Sequence, residues 1–112
     1  MRLEVKKYLH DIKTSADSIF EFLGEKRDSF EYQKSKLLRR AVERELGIIG
    51  EAVGKILTID SNFPIEDARK IVHLRNLVIH GYDQVDDVII WGIISAHLPK
   101  LKKQVDELLK EE

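Results

Sequence analysis

The chain has 112 residues, enough for one domain around one core and too few for two, and its 43% hydrophobic content supplies that core. Its 19 Lys and Arg against 20 Asp and Glu leave a formal net charge of -1, which excludes a global positive field that would gather nucleic acid or anionic membrane indiscriminately. Cysteine is absent, and with it disulfides, thiolate metal sites and thiol nucleophiles.

The opening stretch MRLEVKKYLHDIK is charged throughout, without the apolar region of an export signal. Leu3, Val5, Tyr8, Leu9, Ile12, Ala16, Ile19, Phe20 and Leu23 then recur at steps of three and four, predicting a first helix that stops at Gly24. Asp28 with Glu31 three residues later reads as a capping box opening a second, longer helix through Leu38, Ala41, Val42, Leu46, Ile49, Val53, Ile56 and Leu57. Gly47, Gly50 and Gly54 sit inside it, each costing roughly 1 kcal/mol relative to alanine. Their grouping predicts that another backbone approaches closely there.

The stretch TIDSNFPIEDA, with Pro64, is a connector. Ala68, Ile71, Val72, Leu74, Leu77, Val78 and Ile79 resume helical spacing in a third helix that ends near His80 and is capped by Gly81. A last helical segment runs from about Asp86 to the C-terminus, and Pro99 is expected to kink it or split it in two. Its longest uncharged run, Val88 to Pro99, falls short of the ~20 residues a membrane span needs. A cytoplasmic protein with no membrane association is therefore expected. The 35% charged content, with one Met, also fits the ion-pair networks of proteins that work at high temperature.

No alternating strand pattern or repeat competes with this reading. The fold class is all-α, an antiparallel bundle of four to five helices over residues 1–112 as a single domain. Helices three and four are apolar around more than one face, as in IVHLRNLVI and VIIWGII, so a buried homodimer interface is expected. Trp91 lies within such a stripe and reads as core.

Chemistry concentrates in RNLVIHGYD, Arg75 to Asp83. Taken singly, Arg75 is explained as a surface ion-pair partner, His80 as a cation at a helix C-terminus and Tyr82 as a packing residue. Together they say more. Arg75 and His80 are five apart and point roughly 140° away from each other on a regular helix, so they meet only if the last turn unwinds or if two copies share one cleft. A guanidinium stays charged and grips phosphate in a fork, while histidine titrates near neutrality. The pair suits cleavage of RNA by its own 2′-hydroxyl without metal. His80 would move the proton, and Arg75 would stabilise charge growing on the phosphorus oxygens.

The spacing Arg75, four residues, His80, Gly81, Tyr82 resembles the R-x4-H-x-Y signature of the HepT-like proteins in the HEPN superfamily, with further similarity in AVERELGIIGEAVGKI and VIIWGIISAHLPKLK. That resemblance implies a helical homodimer and a metal-independent ribonuclease toxin of a HepT/MntA-type (type VII) system. It also implies a small MNT-type nucleotidyltransferase antitoxin that attaches AMP to the motif tyrosine. Carried onto this chain, Arg75 and His80 are the catalytic pair and Tyr82 is the AMP acceptor. An added AMP would bring bulk and negative charge to a site built for phosphate. Asn76 would support the site by orienting His80 or the scissile phosphate.

Asp83, Asp86 and Asp87 depart from an RNA-friendly environment. They cap helix four, raise the pKa of His80, or face the antitoxin. Lys36, Arg40 and Arg44 form a basic stripe that either tracks RNA or is solvated and paired with neighbours such as Glu43 and Glu45. His73 and His80, with Glu66 and Asp67 upstream, sketch a metal site that no ligand spacing supports, and His10 and His97 have no partners at such spacing, so no metal or cofactor is expected. The competing reading is a helical dimer that docks a nucleotidyltransferase and carries its mark without cleaving RNA.

Overall fold

The structure, a computed structural model, describes residues 2–25, 28–65, 70–73, 75–76 and 87–111. Helix α1 spans Leu3–Leu23 and buries Val5, Leu9, Ile12, Ala16 and Ile19. Full burial of an aliphatic side chain such as Leu9 or Ile12 contributes roughly 1.5–3 kcal/mol, so this one stripe anchors the helix. It stops where predicted: Gly24 takes φ 71°, a left-handed conformation that suits glycine, and its N–H donates to the Phe20 carbonyl.

The second predicted helix is two. Asp28 accepts a hydrogen bond from the Phe30 N–H at 2.9 Å and opens α2, only Ser29–Lys34. Ser35 then adopts extended backbone and caps α3, Lys36–Ile59, its Oγ accepting from the Leu38 N–H at 3.1 Å. A serine side chain that satisfies an orphan amide makes a helix start there favourable, and the polar run around it conceals the break. Helix α3 buries Val42, Leu46, Ile49, Gly50, Ala52, Val53 and Ile56.

After α3, the Asp60 carboxylate accepts from the Asn62 N–H and turns the connector, which Gln104 ties down by donating to the Pro64 carbonyl at 2.8 Å. Residues 70–73 and 75–76 are helical, with Ile71 buried. Helix α4 is Asp87–Ala96 and α5 is Leu98–Lys110. Pro99 sits in the first turn of α5, where its missing N–H costs nothing, so the predicted split is what the chain does.

The four predicted runs thus become six helical stretches among the described residues, where no strand occurs. The start of α1 shares a cavity with the end of α3, lined by Arg2, Val5, Ile59, Asp60 and Phe63, so these two helices run antiparallel. Lys13 pairs with Asp106 and Asp17 with Lys102, which makes α1 and α5 antiparallel as well. The result is an all-α antiparallel bundle with α1 at its centre, packed on α3 and α5. No described helix is long and apolar enough to cross a membrane.

Trp91 is half-buried and packs on the core, its ring 5.4 Å from that of the fully buried Tyr32. This contact and the Arg39–Asp87 ion pair at 3.3 Å draw α2 and the start of α3 to the start of α4. Phe30, Leu37, Val88 and Ile89 on these elements are large apolar residues left exposed. The apolar excess read in the last helical run is therefore real at Val88 and Ile89.

Candidate functional site

Arg75 is carried by the helical residues 70–73 and 75–76, four residues after Ile71, and the two share the face that lies on α3. At the contact point α3 offers Gly50. A Cβ placed there would fall 2.1 Å from Arg75 Cβ, 2.7 Å from its Cγ and 3.3 Å from the Ile71 carbonyl oxygen. Among the described residues the expected close approach of another backbone thus occurs at Gly50 alone, because a Cβ at Gly47 or Gly54 would meet none of them within 4 Å. Those two glycines are not explained by packing among the described residues.

The head of Arg75 is also held. Its Nη1 donates to Asn76 Oδ1 at 2.9 Å, and its Nε is buried and meets no acceptor among the described residues. Asn76 itself is exposed. Its carbonyl serves the arginine; the expected orienting of His80 falls on a residue outside the described ones. The remaining N–H groups of a planar guanidinium keep their fork geometry for an oxyanion. His80, Tyr82, Gly81, Asp83 and Asp86 lie outside the described residues, as do Glu66 and Asp67.

Asp87 stands in the first turn of α4, where a carboxylate favours the helix dipole, and it meets Arg39. This partner was not foreseen, since the two are far apart in sequence and no periodicity links them. Arg40 of the basic stripe holds the largely buried Glu43 at 2.8 Å, the paired alternative for that residue. Lys36 and Arg44 are exposed on α3. Around Tyr32, burial, the charge of Asp87 and then that of Glu43 push the phenol well above its ordinary value, with Arg39 and Arg40 pulling the other way. Its hydroxyl is buried and meets no hydrogen-bond partner among the described residues.

Among the described residues no three His, Cys, Asp or Glu side chains come together to hold a metal ion. His73 is exposed.

Comparison with known proteins gives the same family that the signature resembles. The family described as "Ribonuclease HepT-like" matches residues 12–108. The chain is 38% identical over 105 residues to "Putative RNase MJ1380" of Methanocaldococcus jannaschii, covering 92% of this chain and 94% of that protein. It is 36% identical over 116 residues to "Putative RNase TTE0752" of Caldanaerobacter subterraneus subsp. tengcongensis, covering 96% of each. To "Probable ribonuclease HepT" of Thermococcus cleftensis it is 33% identical over 112 residues, covering 98% of this chain and all of that protein. No solved structure matches significantly. With the match running through all the long helices and across Arg75 and Asn76, the chain belongs to the HepT-like ribonuclease family.

Proposed function

We propose that the protein is a metal-independent endoribonuclease, the toxin of a toxin-antitoxin pair, with Arg75 and His80 as its catalytic residues. The observation that carries this reading is the arginine: within a ribonuclease family match, Arg75 is seated against a glycine and tethered by Asn76, as a phosphate clamp requires. In the reaction, His80 removes the proton of the RNA 2′-hydroxyl as that oxygen attacks the adjacent phosphorus. Arg75 neutralises the charge that grows on the non-bridging oxygens. The bond to the 5′-oxygen breaks and that oxygen takes a proton from solvent, leaving a 2′,3′-cyclic phosphate and a 5′-hydroxyl, and His80 gives up its own proton to solvent afterwards.

The reading extends to a homodimer and to an MNT-type nucleotidyltransferase that silences the enzyme by attaching AMP to Tyr82. The exposed Phe30, Leu37, Val88 and Ile89 near the start of α4 support a second copy as one partner. The added phosphate would compete with RNA for Arg75.

The test is cleavage of a mixed RNA by purified protein in excess chelator, with analysis of product ends. Cyclic phosphate ends from wild type, and none from His80→Ala or Arg75→Ala, are expected. A folded protein that binds the nucleotidyltransferase but never cleaves would replace this reading with that of a docking module. Intact mass after co-expression should rise by whole AMP units in wild type and not in Tyr82→Phe.

A further inference from the structure

Three glycines interrupt α3 at nearly one-turn intervals, and among the described residues only the middle one meets another part of the chain. Carbon atoms in contact normally sit about 3.5–4.0 Å apart. A methyl group on Gly50 would lie far inside that distance from both Cβ and Cγ of Arg75 and would crowd the Ile71 carbonyl. The obstructed atoms are the stem of the arginine where it leaves its helix. Swinging the flexible end of the side chain aside does not relieve such a clash, so the backbone that carries Ile71 and Arg75 must withdraw from α3, taking the guanidinium with it.

The head has little slack to absorb that shift. Nε is already buried, and Nη1 is committed to Asn76 on the same segment, so the guanidinium moves with its backbone. We infer that Gly50 is a positioning residue: the missing side chain on α3 sets the depth at which Arg75 presents its guanidinium to an RNA phosphate. The inference rests on the ribonuclease reading of Arg75. It assigns to the glycine a function that neither helix propensity nor general packing supplies, since Gly47 and Gly54 share the helix without such a contact among the described residues.

The test compares full-length wild type with Gly50→Ala, Gly47→Ala and Gly54→Ala by two readouts. One is single-turnover cleavage of a labelled oligoribonucleotide. The other is the Arg75 Nε–H resonance in 1H–15N spectra, identified by its disappearance in Arg75→Lys. Misplacement of a catalytic group by about 1 Å costs on the order of 100-fold in rate. Gly50→Ala is therefore expected to lose about 100-fold in the cleavage step, with a smaller change in RNA affinity and a displaced Nε–H signal. The other two alanine variants should match wild type in both.

If Gly50→Ala does not fold, the double variant Gly50→Ala with Arg75→Gly takes its place, because the glycine removes the atoms that clash. Free ethylguanidine is then expected to restore cleavage to Arg75→Gly alone and not to the double variant. Wild-type cleavage and an unmoved Nε–H signal in Gly50→Ala, or equal rescue of both glycine variants, would overturn the inference. If wild type shows no cleavage that depends on Arg75, the ribonuclease reading fails. The Nε–H signal then still decides whether Gly50 fixes the arginine.

Discussion

Arg75 Nη1 donates a 2.9 Å hydrogen bond to Oδ1 of Asn76, its own neighbour in the chain. Adjacent residues on a helix do not face each other, so the bond draws the guanidinium sideways and fixes its direction. Asn76→Ala should free that donor and lower RNA cleavage by about three- to tenfold, the equivalent of one ordinary hydrogen bond. Asn76→Asp should do worse, since a carboxylate competes with phosphate for the same arginine. Single-turnover rates check both, with the thermal midpoint expected to stay near wild type because Asn76 is exposed.

Tyr32 buries a hydroxyl that meets no partner among the described residues. Tyr32→Phe keeps the ring against Trp91 and removes the stranded group, so stability at neutral pH should be unchanged or raised by up to about 1 kcal/mol.

The same phenol gives a pH dependence. Its pKa is raised in the folded state, so its contribution is fully present below the unfolded tyrosine value near 10 and is lost as pH rises toward the folded one. Above pH ~10 the unfolded chain releases this proton while the folded chain keeps it. Wild type should therefore lose about 1.4 kcal/mol more per pH unit than Tyr32→Phe in urea unfolding.

Gly47→Ala and Gly54→Ala should each stabilise the fold by up to about 1 kcal/mol, because an added methyl meets none of the described residues within 4 Å and helical alanine is favoured. Gly50→Ala should move the denaturation midpoint the other way, by about 1–3 kcal/mol of overpacking.

Ser35→Ala should cost about 1 kcal/mol by orphaning the Leu38 amide, whereas Ser35→Asp should retain most of the stability. Urea titration followed by helical circular dichroism measures the difference.

Much of this architecture is legible in the sequence, for reasons that differ by element. The stripe from Val5 to Ile19, the stop at Gly24 and the division at Pro99 are local features, and local rules read them. The break at Ser35 is also local but easily missed, because serine among lysines looks like helix surface. Which of three glycines admits another segment depends on Arg75, 25 residues away from Gly50, and no spacing rule reaches that far. For the same reason the partners Arg39 and Asp87 escape a one-dimensional reading. The side-chain chemistry of Arg75 singles it out as a candidate in the sequence, whereas its seat against Gly50 is visible only in the fold. His80 and Tyr82 lie outside the described residues, so the sequence remains the ground for their roles.

The two ion pairs between the first and last helices choose a register. Lys13 faces Asp106 and Asp17 faces Lys102, the two members standing four positions apart on each helix. Slide one helix past the other by a turn in either direction, and Lys13 comes opposite Lys102 or Asp17 opposite Asp106. Each pair is partly exposed and is worth at most about 1 kcal/mol. Either slip exchanges attraction for repulsion while the aliphatic stripes, mostly Leu, Ile and Val, would tolerate the shift far better. The charges of α1 and α5 thus act as a vernier, selecting one alignment among several that the core alone would accept.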